Sequence, residues 1–261
     1  MFEFAPDILL FLAIAAFVAG FIDSIAGGGG LVTIPALLLA GVPPVEALGT
    51  NKLQGLFGSA SATISYAQKG YVDPRRQLPS ALLAFIGAAA GAACATIIPG
   101  DWFRAVMPIL LVAIALYFAF KPNITDVDRA QRITPLAFGL TIPTLIGFYD
   151  GVFGPGAGSF YMLAFVALAG YGVLKATAHT KLLNFASNLG GFTVFALAGA
   201  ILWKTGLLMG ACQFAGARLG SSLAMRQGAR LIKPLLVVVC VAMAARLMWQ
   251  ADGPLRTWFG F

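Results

Sequence analysis

Apolar residues along this chain run in long, nearly unbroken stretches, at 8–22, 31–40, 53–67, 82–98, 103–120, 136–148, 160–169, 182–203, 207–225 and 235–249. Several are long enough to cross ~30 Å of hydrocarbon as a helix. The second and the seventh are not, since ten helical residues reach only ~15 Å. The pattern predicts ten helices and an all-α polytopic membrane protein. It also has an internal order, in which a long segment, a glycine-rich break and a short segment are followed by three full-length segments, and the series then repeats.

That order reflects a duplication. Gly20, Phe21, Asp23 and Gly27 recur as Gly147, Phe148, Asp150 and Gly154, at a spacing of 127. After a two-residue insertion the spacing becomes 129, and Gly41, Ala47, Lys52, Gly70, Phe85, Gly87 and Gly91 match Gly170, Ala176, Lys181, Gly199, Phe214, Gly216 and Gly220. Val112 and Ala113 continue the register to Val241 and Ala242. Apolar composition alone yields chance Ala and Leu matches, but not paired Asp, Lys and Gly in one register. The expected organisation is a first repeat at 1–121 (helices 1–5), a cytoplasmic linker at 122–134 and a second repeat at 135–261 (helices 6–10).

In each repeat the first two segments form a hairpin with the glycine break at its tip. Whether that hairpin crosses the bilayer or only re-enters it, the chain returns to its starting side. Three single spans then follow, so the crossing number is odd and the second repeat is expected to be inverted. Charge supports this. Inversion gathers Lys69, Arg75, Arg76, Lys121, Arg129, Arg132, Lys175, Arg226, Arg230 and Lys233 on one face, against Arg104, Lys204, Arg246 and Arg256 on the other. Enrichment of Lys and Arg in cytoplasmic loops puts the first face in the cytoplasm and both termini outside; a parallel arrangement divides the charges less unevenly.

Composition agrees with this reading. Residues are 59% hydrophobic and 10% charged, whereas soluble domains carry about 25% charged residues. The formal net charge of +7 is scattered over loops and forms no basic stripe, which argues against nucleic acid. Glu3 and Asp7 stand where a secretory signal would carry Lys or Arg, so the first segment is read as part of the fold. Cys94, Cys212 and Cys240 sit singly in apolar segments without metal-ligand spacing, and no cofactor is implied.

Candidate chemistry gathers at the breaks. Gly27, Gly28, Gly29 and Gly30 match Gly154-Pro155-Gly156-Ala157-Gly158, and non-helical backbone at membrane depth is tolerated where protein buries it or where it lines a water-filled cavity. Each break opens a short helix whose first N–H groups favour a negative ligand. Asp23 and Asp150 lie just before the breaks, where an ionisable residue is by default a functional hypothesis. They are read either as proton-coupling acids or as caps on their own loops; capping is preferred, because an uncommitted acid would repel an anion.

Lys52 with Gly55, Ser59 and Thr63, and Lys181 with Asn184 and Asn188, form polar stripes on otherwise apolar helices. Such stripes face protein or water, so the lysines are read as counter-charges for the substrate or for the acids. Thr50 and Asn51 align with His179 and Thr180; the lone His179 is more economically a hydrogen-bonded structural residue than a proton relay. Arg218 either pairs with an Asp or reads substrate oxygens. Lys52, Lys181 and Arg218 against Asp23 and Asp150 leave an expected interior excess of one positive charge. The G-x-x-x-G pairs Gly87/Gly91 and Gly216/Gly220 let helices approach closely, more often within one chain than in a homodimer, which stays open.

The first glycine run, followed by Pro35, Gly41 and Ala47-Leu48-Gly49-Thr50-Asn51-Lys52, with a second version in the other half, resembles the sulfite exporter TauE/SafE family of bacterial and plant permeases. The resemblance covers nearly the whole chain. It implies a secondary carrier of sulfite and organosulfonates in the bacterial inner membrane, and it points to Gly27, Gly28, Gly29, Gly30, Thr50, Asn51 and Lys52. Pro155, Ala157 and Ala178-His179-Thr180 depart from the pattern in the second half.

The expected substrate-binding set therefore comprises those seven residues with Gly156, Gly158, His179, Thr180, Lys181, Asn184 and Arg218, and the expected partners are a small anion and the lipid bilayer. The alternatives are a proton-coupled carrier of carboxylates or another small solute, and a passive anion channel. An intramembrane enzyme would need a nucleophile with a base, or a metal cluster, and the sequence offers neither.

Overall fold

A computed structural model describes residues 4–103, 106, 109, 110, 113 and 128–227. Both fifth segments in the main, Arg104, Lys121, residues 122–127 of the linker, and Arg230, Lys233, Cys240, Arg246 and Arg256 lie outside the described residues, as does the Val112, Val241 and Ala242 part of the register. Eight helices have both bounds within them: α1 (Pro6–Ala26), α2 (Gly30–Leu39), α3 (Pro44–Gln68), α4 (Pro74–Ile97), α5 (Pro135–Val152), α6 (Ala157–Ala167), α7 (Val173–Leu197) and α8 (Trp203–Gln227). Among the described residues there is no strand.

Local chemistry sets these bounds. Pro6, Pro44, Pro74 and Pro135 open α1, α3, α4 and α5 in the first turn, where a missing N–H is harmless and φ is already helical. Asp73 accepts from Arg75 N–H at 3.0 Å and Thr134 from Ala137 N–H at 3.3 Å, capping α4 and α5. Glycines with positive φ follow α2, α3, α6 and α7, at Gly41, Gly70, Gly170 and Gly199. The 129-residue register pairs them two by two.

The distribution of polarity is inside out relative to a soluble domain. Buried positions include Asp23, Asn51, Lys52, Gln54, Asp150, Lys181, Asn184, Ser187 and Gln213. Exposed positions include Leu10, Ile14 and Phe17 on α1, Leu78, Leu82 and Ile86 on α4, Leu136, Leu140 and Leu145 on α5, and Leu207, Phe214 and Leu219 on α8. Their spacing of three to seven residues along each helix makes an apolar outer stripe, as lipid requires, while the polar groups find partners inside. By length and composition alone, α1 and α4 are apolar enough to cross a membrane among the described residues. Helices α3, α7 and α8 are of similar length but carry the buried polar side chains.

Helices from the two halves interleave. α4 packs most extensively on α5, and α8 on α1. Glycines permit both approaches: a Cβ on Gly87 or Gly91 would strike the backbone of Thr144 or Phe148 on α5, and one on Gly216 or Gly220 would strike Phe17 or Phe21 on α1. The G-x-x-x-G pairs thus serve packing within the chain. The short helices sit inside. Leu31, Val32, Ala36 and Leu37 of α2 join Leu12, Ala15, Ala16 and Ala19 of α1 in one core cluster, and Tyr161, Met162 and Phe165 of α6 join Ala176, Leu183 and Ala186 of α7 in another.

The connections meet in two groups. Residues 70–73, Gln131, Pro135, Ala169 and Tyr171 line one cavity, and Arg129 N–H donates to Gly170 O at 2.7 Å. Leu202 N–H donates to Thr50 Oγ1 at 3.0 Å, Gly49 abuts Ala200, and Gly100 approaches Pro44.

Candidate functional site

The two glycine breaks touch. Helix α1 is stopped by Gly27 at φ +74°, a left-handed backbone that side chains resist. A Cβ there would also collide with the backbone of Gly158 and Ser159 at the start of α6. Ser159 Oγ bridges the breaks, with contacts at 3.0 Å to Ala26 O and 2.8 Å to Gly27 O. Gly156, at φ +78°, occupies the N-cap of α6.

Each acid is paired with the lysine of the other half. Asp150 Oδ1 lies 2.7 Å from Lys52 Nζ, with side-chain exposures of 6% and 0%. Asp23 Oδ2 lies 3.1 Å from Lys181 Nζ, with exposures of 12% and 0%. Buried charges persist when they are paired in this way. Pairing across the halves cannot be read from the linear order, in which each Asp and Lys also share a repeat.

The pairs differ in their other partners. Asp23 Oδ1 accepts from Gly28 N–H at 3.0 Å and Gly29 N–H at 3.1 Å, so it caps its own break, and Lys181 also donates to the Asp23 carbonyl. Asp150 accepts from Ser187 Oγ at 2.6 Å instead of from its own break. Lys52 Nζ has no hydrogen-bond acceptor beyond the ion pair among the described residues.

Between the breaks lies a polar cavity of about 30 Å³. That is room for about two waters. Both acids line it, as do Gly28, Gly29 and Gly30 from the first break and Gly156, Ala157 and Gly158 from the second. Asn51, Asn184, Asn188 and Gln213 supply side-chain amides. Asn51 Oδ1 is already taken by Thr33 Oγ1 (2.7 Å) and Gln54 Nε2 (3.1 Å), which leaves its Nδ2 donors near Gly154. The amides of Gly30, Gly156 and Gly158 have no acceptor among the described residues, as the first turn of a helix dictates.

Of the residues expected from sequence, Asp23, Gly28, Gly29, Gly30, Asn51, Asp150, Gly156, Gly158 and Asn184 line this cavity, and Lys52 and Lys181 stand behind its acids. Gly27 forms the contact between the breaks. Thr50 is buried with its hydroxyl accepting from Leu202, and Thr180 is buried with Oγ1 unpartnered. His179 lies elsewhere, its Nδ1 2.8 Å from Gln77 Oε1 and its ring against Phe165 and Tyr171, on the wall of a separate cavity of about 500 Å³. Arg218 is exposed and donates to Ser65 Oγ at 3.1 Å. The expected excess of one buried positive charge is therefore absent among the described residues: two lysines face two acids, and Arg218 turns outward because α8 packs its glycine face on α1.

Sequence reasoning missed Gln213. Its signal was positional, since Gln213 falls on the same helical face as Gly216 and Gly220, and a polar residue on a tightly packed glycine face is buried by construction.

The sequence profile of the family described as sulfite exporter TauE/SafE matches residues 12–247. The chain belongs to this family. Relatives match along nearly their full lengths. A probable membrane transporter protein, ORF9, from Sinorhizobium is 63% identical over 260 residues, covering all of both chains. The probable membrane transporter protein YfcA of Escherichia coli K12 is 46% identical over 261 residues, covering all of this chain and 97% of its own. The Bacillus subtilis protein YunE, also a probable membrane transporter, is 24% identical and covers 92% of this chain. No solved structure matches this TauE/SafE chain. Membership makes it a membrane transporter, and places the buried ion pairs and the cavity inside a transport protein.

Proposed function

We propose that this TauE/SafE protein is a secondary carrier in the bacterial inner membrane, exporting small sulfur-containing anions such as sulfite and organosulfonates by alternating access about the two glycine breaks. One observation carries the reading: the breaks abut a polar cavity lined by uncommitted backbone amides, with two buried lysines held just behind its walls. Helix-start amides in a water-poor site select negative charge. Because the buried lysines are already neutralised by Asp23 and Asp150, selectivity rests on the amide donors and on exchange of a lysine from acid to substrate.

An inverted arrangement of two repeats accounts for the reciprocal contacts. Asp of each half meets Lys of the other, and the fourth helix of each half packs on the first helix of the other. Residues 70–73, Ala169 and Tyr171, which meet at one cavity, follow α3 and α6, while Thr50, early in α3, meets Leu202 between α7 and α8. The loops of the first group and the helix turns beside them hold Lys69, Arg75, Arg76, Arg129, Arg132 and Lys175, so the positive-inside rule assigns that end to the cytoplasm.

The breaks touch, so they have to part during transport. Sulfite efflux from vesicles containing the full-length protein tests the proposal. Saturable flux is expected, and the Lys52→Met/Lys181→Met variant is expected to abolish it; unchanged flux would remove both lysines from the mechanism. A second reading, a proton-driven carrier of carboxylates, draws on the presence of both acids in the cavity wall. Acetate outcompeting sulfite and methanesulfonate, with flux that follows an imposed proton gradient, would favour it.

A further inference from the structure

Resting on the anion-carrier reading above, we infer that the two halves divide the work: the second break, with Lys52, holds the anion, whereas Asp23 and Lys181 lock the first break as a fixed frame. The sequence duplication suggests equal halves, but the hydrogen bonds are unequal.

At the first break most exposed backbone groups are already taken, the Gly30 amide excepted. The last carbonyls of α1 accept from buried side chains: Asp23 O from Lys181, Ser24 O from Tyr66 at 2.9 Å, Ile25 O from Thr177 at 3.3 Å, and Ala26 O and Gly27 O from Ser159. The amides of Gly28 and Gly29 are held by Asp23. A ligand at this break would have to compete with a carboxylate that is itself held by a lysine.

The second break is braced less, for among the described residues only its Pro155 carbonyl accepts from a side chain, from Tyr149 Oη at 2.6 Å. Pro155 stands where Gly28 stands in the first, so one N–H is missing, and Asp150 turns to Lys52 and Ser187 instead of capping Gly156. The amides of Gly156 and Gly158 stay open to the cavity. The Gln213 side-chain amide, 3% exposed, lines the same cavity, and Lys52 Nζ stands behind it with Asp150 as its one acceptor among the described residues. The Asn184 amide completes the donor set, since a Cβ on Gly158 would come within 2.5 Å of Asn184 Nδ2. An oxyanion with several acceptor oxygens is the ligand class that satisfies this set, taking backbone amides, side-chain amides and, on its release from Asp150, the Lys52 ammonium.

Hydrogen exchange on the full-length protein in lipid nanodiscs, read over peptides covering 24–33 and 152–161, tests the division. The 152–161 peptide is expected to exchange about tenfold faster than 24–33 and to slow on addition of sodium sulfite or sodium methanesulfonate, while 24–33 does not respond. Lys181→Met/Asp23→Leu is expected to raise exchange at 24–33. Lys52→Met/Asp150→Leu is expected to leave 24–33 as in the parent protein and to abolish the anion response at 152–161. Equal exchange at the two breaks, or an anion response confined to 24–33, would overturn the division. If vesicles transport sulfite yet neither peptide responds, the anion site is misplaced; if they transport none, the carrier reading itself fails, and the exchange of the unliganded breaks still judges the frame.

Discussion

Lys52 and Asp150 hold each other across the boundary between the halves, Nζ to Oδ1 at 2.7 Å, with both side chains buried. Removing one member of a buried pair strands the other. Lys52→Met is therefore expected to destabilise the protein by about 3–5 kcal/mol. Adding Asp150→Leu is expected to restore most of that, because no charge is left unpaired. The same cycle at Lys181 and Asp23 should recover less, since Asp23 also holds two backbone amides. Thermal denaturation of the four doubles and singles in detergent decides this; equal recovery in both cycles would contradict the unequal hydrogen bonding.

Two glycines separate strain from collision. Gly27 and Gly41 both have positive φ, but a Cβ at Gly41 meets nothing within 4 Å, whereas one at Gly27 strikes the second break. Gly41→Ala is expected to cost about 1–2 kcal/mol, the penalty of a left-handed alanine. Gly27→Ala adds a backbone clash and is expected to force the breaks apart, with a much larger loss of melting temperature. A similar shift in the two variants would mean the breaks do not touch.

At the α4–α5 interface, Gly91 and Gly151 give each helix access to the other's backbone. Gly91→Ala is expected to destabilise by about 1–3 kcal/mol through overpacking. Gly139, whose Cβ would come only within 3.3 Å of the Ser80 hydroxyl, is the control, and its alanine variant should melt near the parent temperature.

Outside the spans, Asp128 docks residues 128–132 on the turn before α7. Gly172 N–H donates to its Oδ1 at 2.6 Å and Lys175 Nζ lies 3.1 Å from Oδ2. The Gly172 hydrogen bond first, and then Lys175, hold its carboxyl below the usual carboxylate range. A depressed folded value means the docking is fully present above the ordinary Asp value near 4 and is lost as pH falls through the lowered one. Limited proteolysis of the linker should therefore stay slow at pH 5 and accelerate only in stronger acid, whereas Asp128→Asn should be cut faster at neutral pH too.

The sequence displayed the helical membrane class, the duplicated motifs and the breaks, because glycine runs, paired Asp and Lys, and apolar segment lengths are local signals. It could not display which Lys meets which Asp. Within a repeat Asp23 precedes Lys52 by 29 positions, yet the partner that matters is 158 positions away, brought in by packing of α7 beside α1. Thr50 and His179 misled for the opposite reason. Thr50 adjoins the cavity residue Asn51 and His179 lies two positions from Lys181, but helical steps of 100° per residue turn their side chains to Leu202 and Gln77. Gln213 had no counterpart in the first half, where Ala84 stands, so the repeat could not flag it.

The crossed pairing also sets an order on biogenesis. While only the first 130 or so residues have entered the bilayer, Asp23 and Lys52 have yet to meet Lys181 and Asp150, and a lone charge in hydrocarbon is expensive. The leading half must keep those side chains hydrated or shielded until the trailing half arrives, which makes its insertion provisional and the final docking of α7 and α5 the step that seals the molecule.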